Sequence, residues 1–190
     1  MARLRYLLAA VVAISAGANV CRADVATWVV GDTLIIEGGD GPDHVVLRPG
    51  RTSVIVEDVL EGRSYAHALA GLRRVVFEGH DGDDSFVYSS SLDDHLAKLG
   101  LKPLNCDLFG GQGYDELIAG RGNDILDPGV AEREGCILSG PGADTFIVNN
   151  ALITRRLNNR FYTWVRKPEY LKTDFDQKLD DWKTFTMRWH

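Results

Sequence analysis

No stretch of the 190 residues stays apolar over the roughly 20 positions that a membrane-spanning helix needs. The longest apolar run, Leu7 to Ser15, gives way to Gly17 and Asn19. With Arg3 and Arg5 ahead of it and Cys21-Arg22-Ala23 behind, it reads as an export signal cleaved after Ala23, and no transmembrane anchor is expected. Basic residues are the minority, 21 against 27 acidic. Removing residues 1–23 takes Arg3, Arg5 and Arg22, which leaves 18 basic against 27 acidic residues and a formal net charge of −9. A surface of that sign repels nucleic acid and anionic lipid and attracts divalent cations. Cysteine is scarce, with only Cys106 and Cys136 beyond the signal and no C-x-x-C pair. In an oxidising compartment those two either close a disulfide loop of about 30 residues, worth roughly 3 to 4 kcal/mol, or remain two buried thiols. Also missing are a G-x-S-x-G elbow, an H-E-x-x-H helix and a Walker-type phosphate loop. The five histidines are scattered, and Asp93, Asp94 and His95, as helix neighbours, do not face one substrate, so no enzymatic activity is expected.

Glycine, by contrast, is plentiful and periodic. Five segments share the template x-G-x-G-x-D-x-U, where U is large and apolar: Gly38 to Val45, Gly79 to Phe86, Gly110 to Leu117, Ala119 to Leu126 and Ser139 to Phe146. His80 is the one departure, standing where the first of the two glycines belongs. Alternate glycines let a tight turn aim its carbonyl oxygens at a common centre. The aspartate adds a carboxylate, and a set of hard oxygen donors without sulfur or imidazole suits calcium. Two positions on, the apolar residue begins a short strand that can bury its side chain. A single such loop is an ordinary turn; five in one phase point to a calcium-binding array.

These segments resemble the nonapeptide G-G-x-G-x-D-x-U-x of RTX (haemolysin-type) calcium-binding repeat proteins, with Gly38 to Val46, Gly110 to Ile118 and Ala119 to Asp127 the closest matches. The resemblance implies a parallel β-roll in which calcium lies between loops on one edge, two repeats or about 18 residues apart. On that rule the loop at 119–124 pairs with the loop at 139–144. Asp124 and Asp144 are then ligands, with backbone carbonyls from Gly120, Gly122, Gly140 and Gly142. Asp115, Gly111 and Gly113 would act on the opposite edge, with Glu132 or Glu134 supplying an oxygen. Asp43 and Asp84 complete the candidate set, but Gly38 and Gly79 lie 41 residues apart, too far for successive turns of a regular roll, which leaves Asp43 open as a turn residue only.

The expected architecture is an all-β parallel β-roll or β-helix solenoid with an irregular N-terminal β cap, one short helical excursion and an aromatic C-terminal cap. Its divisions are a signal at 1–23, the cap or irregular coils at 24–104, the RTX-like roll at 105–148 and the C-terminal cap at 149–190. Short β-rich runs at Trp28 to Val30, Thr33 to Ile36, His44 to Leu47, Ser53 to Val56 and Arg73 to Phe77 are punctuated by turns at Arg48 to Arg51 and Leu60 to Arg63. Leu92, Leu96 and Leu99 set a helix over Ser91 to Leu99. Leu171 to Asp176, followed by Leu179 to Trp182, resembles the acidic segment that closes RTX arrays. The expected function is a secreted or periplasmic calcium-binding protein. The alternatives are a module binding a cell-envelope polymer or protein through the aromatic region Phe161 to Trp189, and a small polysaccharide-modifying enzyme.

Overall fold

The computed structural model describes residues 25–129, 136–149 and 181–185. Two sheets carry these described residues. The first contains β1 (Ala26–Val30), β2 (Thr33–Glu37), β6 (Arg74–Glu78), β8 (Asn105–Phe109), β10 (Ile125–Asp127), β12 (Thr145–Asn149) and β13 (Asp181–Phe185), in that spatial order. The second contains β3 (His44–Pro49), β4 (Ser53–Asp58), β5 (Arg63–Ala68), β7 (Ser85–Tyr88), β9 (Glu116–Ile118) and β11 (Cys136–Leu138), ordered β11-β9-β7-β3-β4-β5. A single helix, α1 (Ser90–Lys98), interrupts the passage from β7 to β8. The strand runs, both turns and the helix fall within a few residues of the positions their sequence patterns indicate.

The parallel β-roll solenoid expected from the resemblance is corrected: both sheets are mixed. In the first, β1 runs antiparallel to β2 while the other pairs are parallel. In the second, β3-β4 and β4-β5 are antiparallel, and β3-β7, β7-β9 and β9-β11 are parallel. Turn chemistry is the cause. Gly31-Asp32, with Gly31 at φ 63°, folds β1 directly back on β2, with Val30 opposite Thr33. Gly50 and Gly62 sit in two further tight turns, so β3, β4 and β5 form a meander where a roll would have crossed to the other sheet.

Alternation decides which side chains meet. Val45 and Leu47, Val54 and Val56, Val75 and Phe77, and Phe86 and Tyr88 alternate with half-buried residues and point into one continuous core. Phe77 and Phe86 join the two sheets with ring centroids 5.1 Å apart. Leu92 and Leu96 of α1 enter the same core beside Leu104, so the helix is an integral wall of the domain. Cys106 lies in the inward row with Val75, whereas Cys136 pairs with half-buried Glu116 on the outward row of β9. The two remain buried thiols with no disulfide between them. Among the described residues, no helix is long and apolar enough to cross a membrane. The export signal at 1–23, Glu132 and Glu134, and the aromatic tail apart from the backbone of β13 lie outside the described residues.

Candidate metal centre

Each Gly-Asp loop carries the chain from one sheet to the other, so the stacking of the strands stacks the loops. Those at 38–43, 79–84 and 110–115 lie in successive layers on one edge, and those at 119–124 and 139–144 on the other. On the first edge, the Gly38 N–H donates to the Glu78 carbonyl and the Gly79 N–H to the Phe109 carbonyl, each at 2.8 Å. The loops at Gly38 and Gly79 are therefore adjacent despite their separation in sequence. The β4-β5 hairpin consumes the extra residues, and Asp43 stands in the same file as Asp84 and Asp115.

All five loop aspartates are at most 2% exposed. They are tied into files by one repeated bond, in which a carboxylate accepts the main-chain N–H of the layer beside it. The Asp43 N–H donates to Asp84 Oδ1 at 2.8 Å and the Asp84 N–H to Asp115 Oδ1 at 3.0 Å. On the second edge the Asp124 N–H donates to Asp144 Oδ1 at 2.8 Å and the Cys106 N–H to Asp124 Oδ1 at 2.6 Å. The structure thus joins the 119–124 and 139–144 loops as the spacing rule requires. Cys106 occupies the next position in that file, where a thiol replaces the carboxylate.

The second carboxylate oxygens are the informative atoms. Asp84 Oδ2, Asp115 Oδ2 and Asp124 Oδ2 are shut off from solvent and accept no hydrogen bond. A buried carboxylate with an unmatched oxygen costs several kcal/mol unless a proton or a cation neutralises it. Neighbouring carbonyls share the same space. A Cβ on Gly79 would strike both the Asp84 carboxylate and the Gly110 carbonyl, and one on Gly142 both the Gly122 carbonyl and Asp144 Oδ1. Carboxylate oxygen from one layer and carbonyl oxygen from the next thus flank a single Cα on each edge, a donor set that fits calcium. Among the described residues, no group of three or more His, Cys, Asp or Glu side chains gathers as in a side-chain metal cluster. Donors here are mostly main-chain.

The remaining loop glycines make the close stacking possible. Gly111 and Gly113, at φ 108° and 135°, lie against the His80 and Gly82 carbonyls, and Gly140 lies against the Gly120 carbonyl. Gly122 faces the Leu104 carbonyl with Asp124 Oδ1 2.9 Å from its Cβ position. His80, in its glycine slot, takes φ 73° and contributes its carbonyl to the Gln112 N–H at 2.7 Å, so it serves as backbone.

Sequence reasoning missed two acids. Asp93 of α1 is 5% exposed and accepts the Tyr88 hydroxyl at 3.0 Å. It also takes a backbone hydrogen bond from Arg121, and Gly120 packs on the Tyr88 ring, so the helix braces the 119–124 loop. Its neighbours have other partners: Asp94 meets Arg121 at 3.6 Å and His95 meets the Arg51 carbonyl at 3.2 Å. The second is Asp58, buried at the end of β4 with Oδ2 unmatched. Nothing in the sequence marks either as buried, because each depends on which element packs over it.

Burial pushes these carboxyls up, to about 7 for Asp84, about 6 for Asp115 and about 8 for Asp124. Between the ordinary carboxylate range and these values, the ion-free folded chain holds more protons than the unfolded one, so its stability falls as pH rises. In calcium-free buffer the protein is expected to melt several degrees higher at pH 5 than at pH 8. A melting temperature that rises over that interval would contradict the burial of these groups.

No protein family, curated protein or solved structure matches the chain.

Proposed function

We propose that this is an extracellular or periplasmic calcium-binding protein of the RTX-like kind, whose Gly-Asp loops hold the ion between stacked layers. Calcium then locks the two mixed sheets together. The observation that carries this reading is the set of buried, unmatched oxygens on Asp84, Asp115 and Asp124, that of Asp84 meeting the Gly110 carbonyl of the next loop at the Gly79 Cα. Three interlayer steps have the donors: 38–43 against 79–84, 79–84 against 110–115, and 119–124 against 139–144. Asp43, Asp84 and Asp115 would serve the first edge and Asp124 and Asp144 the second, with carbonyls from Gly111, Gly113, Gly120, Gly122, Gly140 and Gly142 among the neutral donors. Bound calcium supplies the positive charge that lets these carboxylates stay ionised when buried. The chain's own part is to fix the oxygens: Oδ1 of Asp84, Asp115, Asp124 and Asp144 each accepts a main-chain N–H of the adjacent layer, which holds the carboxylate in place between layers.

Thermal melting in calcium and in chelator tests the reading. A large calcium-dependent rise in melting temperature supports it, and identical curves would overturn it.

A further inference from the structure

Among the described residues, one unmatched buried carboxylate stands outside every Gly-Asp loop. Asp58 ends β4, is 1% exposed, and by the alternation of that strand turns inward with Val54 and Val56. Its Oδ1 accepts the Glu61 N–H at 3.1 Å across the β4-β5 turn, while Oδ2 is sealed from solvent and accepts nothing. Its cross-strand partner Arg63 directs its guanidinium to Glu61 at 3.7 Å.

Topology explains why this acid matters. Asp58 sits opposite Val45, two residues past Asp43, and the Val59 N–H donates to the His44 carbonyl at 2.8 Å. Because β4 runs antiparallel to β3, its end lies on the edge where β3 begins. Asp58 at the end of β4, and Asp43, Asp84 and Asp115, each immediately ahead of β3, β7 and β9, therefore fall along one edge of four neighbouring strands. The meander that breaks the parallel pattern thus sets beside the file, two residues inward of Asp43, another carboxylate, buried like the others and with an unmatched oxygen like those of Asp84 and Asp115.

We infer that Asp58 is a ligand for a further divalent cation at the outermost step of the first edge, between the 58–61 turn and the 38–43 loop. The donors that step would draw on are the Asp58 and Asp43 carboxylates and the main-chain carbonyls of the 38–43 loop, all hard oxygens suited to calcium. The Asx-type bond from Glu61 N–H orients the side chain and leaves Oδ2 for the ion. This inference rests on the calcium reading of the loops, yet it can fail separately.

Equilibrium dialysis of the full chain with calcium alone, comparing wild type, Asp58→Asn and Asp58→Glu, tests it. Asn keeps the volume and can still accept the Glu61 N–H, while Glu keeps the charge at the expense of length. One ion fewer per chain is expected for Asn, and the wild-type number with several-fold weaker affinity for Glu. If Asn fails to fold in saturating calcium while Glu folds and binds the wild-type number, the need for a carboxylate is likewise upheld. An Asn variant with wild-type ion count and affinity would overturn the Asp58 assignment and leave the loop sites standing. A wild-type chain that binds no calcium would overturn both.

Discussion

Stripping calcium from the protein at pH 8 is expected to lower its melting temperature by about 15 to 30 °C, or to leave it unfolded at room temperature. Mass action sets the size of the loss. Extracellular calcium sites typically dissociate at roughly 0.1 to 1 mM, so 10 mM calcium stands at about 100 times the dissociation constant of a site at the tighter end. Each such site adds about 2.7 kcal/mol to the folded state. Three interlayer steps together give roughly 8 kcal/mol, against a total stability of about 5 to 15 kcal/mol for an ordinary domain. For a chain of this size, each kcal/mol moves the midpoint by about 2 to 4 °C. The hydrophobic core does not offset the loss, because the same loops that hold the carboxylates fix the spacing of Phe77, Phe86 and Phe146.

Replacing Asp124 by Asn is expected to change sign with the ion. In calcium the variant should be less stable than wild type by about 3 kcal/mol, the contribution of one well-occupied site. In chelator at pH 8 it should be more stable, by roughly 1 to 3 kcal/mol, because a buried charge without a counter-charge has been removed. Asn retains an oxygen to accept the Cys106 N–H and fills the same volume, so neither the hydrogen bond nor the packing accounts for the reversal. A residue that merely caps a turn would lose stability in both buffers. Denaturant melts of the two proteins under the two conditions distinguish these outcomes.

The five loops were legible because their signal is local. Glycine spacing, the terminal aspartate and the apolar residue two positions on all lie within eight residues, and every one of those aspartates is buried in the structure. The 20-residue spacing also paired the 119–124 loop with the 139–144 loop. What the sequence concealed is long-range. The separation of Gly38 from Gly79 suggested isolated turns, yet an inserted hairpin makes the two loops neighbours. The partner of Asp115 is the Asp84 layer, 31 residues earlier in the chain, across a gap filled partly by α1. The hairpin turns at Arg48 to Arg51 and Leu60 to Arg63 were legible and join antiparallel strands, whereas the Gly31-Asp32 turn that folds β1 onto β2 was not read. Asp58 and Asp93 belong to no template, and only the packing of β4 and α1 buries them.

Anomalous diffraction from crystals grown in calcium tests the central claim most directly. The expected result is discrete calcium peaks on both edges of the two-sheet stack, about 2.3 to 2.6 Å from Oδ2 of Asp84, Asp115 and Asp124, with loop carbonyls completing each shell. Crystals in millimolar calcium whose edges show no anomalous peak, with those three oxygens protonated or bound to water, would contradict it.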